Sequence, residues 1–172
     1  MSALSEVTRL NQTVTATILG KGSAIPADRW TTPRASGKWS PAQVVEHLTK
    51  SYEGHRDMAS GRVPAGNFSV VKQWIARTIF LPKLFKLGDF PANRQLKSPE
   101  FILPSDLPIP RQELLTRFEI AAKGLEADLQ RLEAEGKARV MHPFFGPLKL
   151  ADFLHFVAIH ARHHEPQIVA AN

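Results

Sequence analysis

Apolar residues recur at helical spacing in four stretches of this sequence and alternate with period two in none. In the longest stretch, residues 111–135, they lie three or four positions apart, which is the spacing of one helix face. Shorter stripes of the same kind occupy residues 3–19, 40–60 and 149–165. Four amphipathic helices bury such stripes by packing against one another, so we predict an all-α four-helix bundle in which strands are at most a minor element.

Glycine, serine and proline mark the expected helix ends. Gly20-Lys21-Gly22 predicts the end of the first helix. Ser40-Pro41 predicts the start of the second, with serine as N-cap and proline at the first helical position. Gln43 lies where it would complete a capping box with this serine. Gly61 and Gly136 predict the ends of the second helix and of the long helix.

Residues 61–110 depart from the bundle pattern and are predicted to form an inserted helical and irregular segment. Residues 68–88 have helical spacing, but Pro82 is expected to break or kink that helix. Five prolines between residues 89 and 110 predict an irregular strap over the surface. A chain of 172 residues suits one domain, so we predict a single domain over residues 1–172.

The net charge of +6 invites a nucleic-acid-binding interpretation, but the distribution of the charge argues against it. Residues 61–99 contain seven basic residues and one acid, which accounts for the whole excess. Residues 70–80 in this segment are basic and amphipathic. They fit either a lid helix packed on the bundle with its lysines in solvent, which we favour, or a membrane surface. We therefore expect neither a nucleic-acid nor a membrane partner, and a homodimer stays open.

The absence of cysteine excludes disulfides, thiolate metal sites and a cysteine nucleophile. No apolar run approaches the ~18 residues of a membrane span, and the first residues lack the features of a signal peptide. These features lead us to expect a cytoplasmic protein. The motifs of serine hydrolases, zincins and nucleotide-binding loops are also missing from the sequence.

Two histidines share the core-facing stripe of the last predicted helix. His160 and His164 are one turn apart, so their Cβ atoms are about 5–6 Å apart and both imidazoles can reach one ion. His155 points away from this stripe, and His163 lies at its edge. Buried imidazoles need polar partners, so a metal ion and a hydrogen-bonded core are equally supported by this helix alone.

His47 favours the metal interpretation because it flanks the apolar stripe of helix 40–60. Ser51 and Gly54 lie in line with it, and their small side chains would leave a hollow beside the imidazole. A mid-helix glycine can also be simply tolerated at a cost of about 1 kcal/mol. If His47 faces His160 and His164 across a helix packing distance of about 8–10 Å, the three nitrogens form a site with open coordination positions.

The other polar candidates are weaker. His142 begins the turn 142–147, where a surface histidine is favoured over one at the mouth of a pocket. His55 is expected to be structural or solvated. Glu46 and Asp152 are close to the candidate ligands in sequence but are expected to point elsewhere, and no general base is evident.

Three stretches resemble motifs of the DinB-like superfamily. Residues 37–48, Gly-Lys-Trp-Ser-Pro-Ala-Gln-Val-Val-Glu-His-Leu, resemble its Trp-Ser/Thr-x-x-x-x-x-x-His-Leu stretch. Residues 142–146, His-Pro-Phe-Phe-Gly, and 160–168, His-Ala-Arg-His-His-Glu-Pro-Gln-Ile, resemble its His-Pro-x-x-Gly and His-x-x-His-His-x-x-Gln-Ile/Leu motifs. Pro166 is a departure that removes a helical N–H donor, so the position of Gln167 cannot be carried over from the motif.

The resemblance implies a four-helix bundle with a three-histidine site for nickel, zinc or iron. By motif position the ligands are His47, His160 and His164. Some relatives are transferases or isomerases that use low-molecular-weight thiols, and many have no known activity. The first hypothesis is therefore a metal-dependent enzyme, either such a transferase or a hydrolase, in which the ion activates a thiol or water.

The expected substrate is a small molecule, with an anionic thiol as the specific hypothesis. Phe153, Phe156 and Val157 would give the site an apolar wall, and segment 61–110 would give it a basic rim that attracts anions. The alternative is a non-catalytic, stress-associated module that binds metal or a ligand, with attachment to a membrane surface as one version.

Overall fold

A computed structural model describes residues 2–64, 69–90, 98–105 and 109–170. Its regular elements, in chain order, are α1 (Ala3–Ala24), α2 (Pro41–Ala59), α3 (Val70–Ile75), α4 (Leu81–Leu87), α5 (Arg111–Ala134), β1 (Arg139–His142), β2 (Gly146–Lys149) and α6 (Leu150–His164). Within these residues, α1, α2, α5 and α6 are the four long helices. The predicted all-α bundle is confirmed, with one small hairpin as its β-structure.

The four long helices surround a single core. α2 packs mainly along α5, and α1 packs along α6 and α5. Leu48, Phe118, Leu125 and Phe153 are fully buried at the centre of these contacts. Each comes from the apolar stripe of its helix, so the periodicity of the sequence accounts for which helix faces turn inward.

α2 begins with the capping box that the sequence predicts. The Ser40 hydroxyl accepts a hydrogen bond from the Gln43 backbone N–H at 3.2 Å, and the Gln43 amide oxygen accepts one from the Ser40 N–H at 3.0 Å. This capping box satisfies two donors that the first helical turn leaves unpaired. It fixes the position at which α2 leaves the preceding loop.

The predicted end of α1 at Gly20 is wrong, because the helix continues to Ala24. A Cβ atom on Gly22 would lie 2.6 Å from Leu115 Cδ2 on α5. This glycine therefore allows the two helices to approach closely, and it does not end α1.

A buried polar network crosses the bundle where Asn11 interrupts the apolar stripe of α1. The Asn11 amide donates to Glu126 Oε1 at 2.7 Å and accepts from the Tyr52 hydroxyl at 2.6 Å. Asn11 and Tyr52 are both fully buried. The network links α1, α2 and α5 and satisfies polar groups that would otherwise destabilise the core.

The inserted segment forms one helical stretch, in which a π-helical turn at Ala76–Phe80 joins α3 to α4. Pro82 occupies the first turn of α4, where it interrupts no helical hydrogen bond of that helix. Polar side chains of this stretch contact the hairpin: Gln73 Nε2 donates to the Pro143 carbonyl at 3.1 Å, and Arg77 Nη1 donates to the Phe145 carbonyl at 2.8 Å. The predicted lid is therefore present, and Leu81 and Leu84 of α4 are buried in the core.

The hairpin pairs β1 with β2 in antiparallel register, with His142 opposite Gly146 at its turn. Gly146 has a φ of +67°, and a Cβ atom there would lie 2.9 Å from Arg77 Nη1. The glycine thus allows both the turn and the close approach of the Arg77 side chain. The hairpin brings His142 into the bundle beside α2.

Two segments close the end of the bundle that contains the candidate ligands. A 3-10 turn at Glu100–Ile102 packs on α2, and a second one at Glu165–Gln167 continues α6. The predicted strap is described only in part, since residues 91–97 and 106–108 lie outside the described residues. In the part of the chain that is described, no helix is long and apolar enough to cross a membrane.

Candidate metal centre

The three predicted ligands meet between α2 and α6. One imidazole nitrogen from each of His47, His160 and His164 lies within 4.8 Å of the other two. The Nε2 atoms of His47 and His160 are 3.1 Å apart. The predicted three-histidine group is therefore present, with His47 fully buried and the other two half-buried.

The partners of the Nδ1 atoms determine which ring nitrogens are free. His47 Nδ1 lies 2.8 Å from the Ile102 carbonyl oxygen, which can only accept, so this nitrogen carries the proton. His164 Nδ1 lies 3.2 Å from Gln167 Oε1, and His160 Nδ1 lies 3.2 Å from the Ser51 hydroxyl. Gln167 Oε1 can only accept, so His164 Nδ1 likewise carries the proton, whereas the Ser51 hydroxyl can accept from or donate to His160 Nδ1. Each contact orients its ring, as outer partners of metal-binding histidines do.

These residues fit a divalent transition metal. Three neutral imidazoles suit zinc, nickel or iron, and the donor set has no thiolate or carboxylate. His47 Nε2, which keeps its lone pair, lies 3.1 Å from His160 Nε2, so either a proton on His160 Nε2 or a cation occupies the space between them. The His47 tautomer therefore suits a cation that accepts an electron pair.

Burial holds the three histidines neutral. It lowers the pKa of His47, and the nearby Lys50 charge lowers it further. Burial, followed by the charges of His164 and His47, places the pKa of His160 well below its usual range. For His164, burial and the charge of His47 lower the pKa to about 3. Neutral imidazoles are the form that binds metal, so protons do not compete at neutral pH.

Aromatic rings border the centre. The Trp39 ring lies 4.8 Å from the His47 ring and 6.1 Å from the His164 ring, stacked on the latter. The Phe90 ring lies 6.1 Å from that of His160 on another side. The sequence analysis did not assign Trp39 to the site, although it is the tryptophan of the quoted Trp-Ser stretch. Its place in that stretch was the sequence feature that could have identified it.

The expected hollow beside His47 is absent. A Cβ atom on Gly54 would lie 3.4 Å from the Phe101 ring, so Phe101 occupies the space over this glycine. Ser51 is close to the site, but as a hydrogen-bond partner of His160. The Ile102 carbonyl was missed altogether, because no side-chain pattern marks a backbone acceptor.

Pro166 does not displace Gln167 from the centre. The proline lies in the 3-10 turn that ends α6, where the tighter winding leaves Gln167 three residues beyond His164 and on the same side. The amide then holds the His164 ring. The departure from the motif is thus accommodated by the helix end.

A second histidine pair lies deeper in the bundle, and it corrects the expectation that His142 is a surface residue. His142 and His55 are only 2% and 6% exposed, with ring centroids 5.5 Å apart. His55 Nδ1 donates to the Ser51 carbonyl at 2.6 Å, while its buried Nε2 has no hydrogen-bond partner among the described residues. Burial lowers the pKa of His55 to about 4.

Glu46 points away from the centre, as expected. Glu46 binds the Ser105 backbone N–H at 3.0 Å and Lys50 at 2.8 Å. His163, at the edge of the stripe, lies 2.8 Å from Asp89. Among the described residues, the three histidines form a group that no carboxylate joins.

A small cavity of about 140 Å³ lies beside the centre and is lined by Arg34, Gly37, Lys38, Trp39 and Gln167. Two of these residues, Trp39 and Gln167, also contact His164. A larger cavity of about 330 Å³ lies between α2 and α5, and its lining includes none of the three histidines. The small cavity is therefore the one adjacent to the candidate ligands.

Comparison with known proteins agrees with this geometry. A family model described as the DinB superfamily matches residues 12–168, which include all three histidines of the centre. Searches of curated proteins and of solved structures found no match. Since the match covers almost the whole sequence and the helices and histidines agree with the motifs, the chain belongs to the DinB superfamily.

Proposed function

We propose that this protein is a divalent-metal-dependent enzyme in which Nε2 of His47, His160 and His164 binds the ion. One observation carries the proposal: three neutral imidazoles, one buried and two half-buried, converge, and each Nδ1 has a partner that orients the ring. A site made of three such nitrogens retains open coordination positions, as catalytic sites do. The metal itself, as nickel, zinc or iron, is part of the proposal.

The proposed reaction is transfer of a low-molecular-weight thiol to an electrophilic substrate. A bound divalent ion supplies Lewis-acid chemistry that lowers the pKa of a thiol or water. The protein holds the three ligands through Ser51, Gln167 and the Ile102 carbonyl, and it shields them with Trp39. The thiol loses its proton to solvent, its sulfur forms a bond to the electrophilic carbon of the substrate, and the leaving group on that carbon departs with the electron pair of the bond that breaks.

Thiol transfer is favoured over hydrolysis because no carboxylate of the described residues joins the histidine group. A thiol starts from a pKa of about 8.5, so a modest lowering generates the thiolate at neutral pH without a protein base. Water has a far higher pKa than a thiol, so its activation gains more from a positioned general base. The resemblance to thiol-dependent relatives supports the same choice.

Metal content is the first test. Protein purified without a histidine tag should contain stoichiometric divalent metal after dialysis, and the double variant His160→Ala/His164→Ala should lose it. His163→Ala is the matched control, because this neighbour on α6 is outside the group. Unchanged metal in the double variant would show that the ligands are misassigned.

Thiol binding is the second test. Cobalt-loaded protein should develop a sulfur-to-cobalt charge-transfer band with a small thiol such as 3-mercaptopropionate. Metal-free protein should bind this thiol at least ten-fold more weakly, a difference of about 1.4 kcal/mol. Equal affinity of the two forms would favour the alternative, a non-catalytic module in which the ion is structural.

A further inference from the structure

The small cavity beside the metal centre presents hydrogen-bond donors. Arg34 and Lys38 line it, and neither forms an ion pair with a described residue. The Trp39 indole N–H also has no acceptor within the described part of the chain. Because Gln167 turns its oxygen to His164, its NH₂ group remains as a donor.

The cavity also has the right surroundings for an anion. Its described lining contains two cations and no acid. Glu165, two residues before Gln167, is neutralised by an ion pair with Lys21 at 2.7 Å. A volume of about 140 Å³ accommodates a group of carboxylate size and is too small for a nucleotide.

We propose that this cavity is the subsite for a carboxylate of the substrate. The assignment rests on the proposed function, since the thiol end of the same molecule would reach the ion past Trp39 and Gln167. Arg34 would bind the carboxylate through its guanidinium and Lys38 as a point charge. This assignment differs from the expectation that residues 61–110 form the basic rim, because Arg34 and Lys38 lie in the loop before α2.

Mercaptocarboxylates of two to four carbons test the subsite against neutral mercaptoalcohols of the same length on cobalt-loaded protein. At least one acid should bind about ten-fold more tightly than its alcohol. Arg34→Gln/Lys38→Gln should bring the two within about three-fold, whereas the charge-matched control Arg9→Gln/Lys137→Gln should retain the preference. These cations are all exposed, so the substitutions should leave folding intact.

Propionate titrated into metal-free protein gives a second readout that does not depend on the ion. It should shift the Trp39 indole N–H resonance, identified with Trp39→Phe, in the wild type and the control but not in the Arg34/Lys38 variant. If no thiol binds cobalt, the proposed function fails while the propionate shift still tests the cavity. If acids and alcohols bind alike, or propionate causes no shift, the subsite is wrong.

A separate feature, the exposed side of the 70–87 helical stretch, carries a second inference. Val70 is 81% exposed, Val71 66% and Trp74 55%, and Ile75, Ile79 and Leu87 extend the same apolar stripe. Gln73 and Arg77 turn inward to backbone carbonyls, so the packing of this stretch does not cover the stripe. Soluble surfaces rarely expose so many large apolar side chains together.

Cations flank this stripe. Lys72, Lys83 and Lys86 are exposed and form no ion pair with the described residues. The sequence contains no acid between residues 58 and 88. A second copy placed on the stripe would bring two clusters of like charge together, which opposes self-association through this side.

Contrary to the expectation from the sequence, we infer that the stripe binds an anionic membrane surface. Trp74 and the aliphatic side chains would enter the interface between headgroups and acyl chains, and the three lysines would contact anionic headgroups. Buried Leu81 and Leu84 anchor this helical stretch to the bundle. The bundle would then lie on the surface without crossing the membrane.

Vesicle co-sedimentation tests this surface with the full chain. Vesicles containing about one third phosphatidylglycerol should bind the protein at least ten-fold better than phosphatidylcholine alone, and high salt should reduce the binding. Trp74→Ser/Ile75→Ser and Lys72→Gln/Lys83→Gln/Lys86→Gln should each abolish it. Ile120→Ser, an equally exposed apolar position on α5, should have no effect.

Two results would overturn the membrane inference. One is equal binding of the wild type and the Trp74/Ile75 variant to anionic vesicles. The other is a concentration-dependent dimer in solution that the Trp74/Ile75 variant abolishes, which would assign the stripe to a second copy.

Discussion

His55 should make the stability of this protein fall with acid, and His55→Phe should remove that contribution. The ring is 6% exposed and packs on Phe153 and His142, and this burial lowers its pKa to about 4. In the unfolded chain a histidine has a pKa of about 6.5. The folded state therefore resists a proton that the unfolded state accepts.

The sign and size follow from proton linkage. The contribution of His55 is fully present above pH 6.5 and is lost as the pH falls towards 4, at about 1.4 kcal/mol per pH unit. Between about pH 7.5 and pH 5 this lowers the free energy of unfolding by about 2 kcal/mol. The charge of His55 also lowers the pKa of His142, so His55→Phe should raise the pKa of His142. This change makes the variant still less sensitive to acid than the wild type.

Urea denaturation followed by circular dichroism, with chelator present, measures this effect at each pH. The free energies of unfolding of wild type and His55→Phe should converge by about 2 kcal/mol, or cross, as the pH falls from about 7.5 to 5. Phenylalanine retains an aromatic ring, and its packing cost does not depend on pH. Phe156→Leu perturbs the same contacts without removing a titrating group, so its difference from wild type should stay constant. A constant difference for His55→Phe as well would refute the reasoning.

Three further substitutions test other parts of the structure. Ser51→Ala removes the partner of His160 Nδ1 and should weaken zinc binding by about 10- to 100-fold in a competition titration against a chelator. Tyr52→Phe leaves the fully buried Asn11 oxygen without its donor and should lower the free energy of unfolding by about 1–3 kcal/mol in urea denaturation. Gly146→Ala forces a side chain into positive φ and against the lid helix, so thermal unfolding should show a loss of at least about 1–2 kcal/mol. Unchanged values would contradict the corresponding contact in each case.

The features that could be predicted from the sequence are those fixed by local periodicity. The apolar spacing of residues 111–135 predicted α5, and its observed bounds are Arg111–Ala134. Ser40-Pro41 predicted the first turn of α2 because capping involves only neighbouring residues. His160 and His164 likewise share a side of α6 because they are one helical turn apart.

The features that failed depend on contacts between distant residues. Gly22 was interpreted as part of a helix end, but the structure shows that a glycine is needed there because Leu115 of α5 packs against it. The Ile102 carbonyl that binds His47 is fifty-five residues away in the sequence, and no local sequence pattern predicts a contact between such distant residues. The apolar stripe of α3 predicted packing on the bundle, but carbonyls of the hairpin bind its polar side.

The packing that lowers the pKa values of the three histidines also prepares them as ligands. The Nε2 atoms of His47 and His160 are 3.1 Å apart, and the hydrogen bond from His47 Nδ1–H to the Ile102 carbonyl leaves the His47 Nε2 lone pair facing this gap. Burial keeps a second proton off both rings, because it lowers their pKa values. A cation that binds these nitrogens therefore displaces no proton at neutral pH, and by binding only the folded chain it also stabilises the bundle.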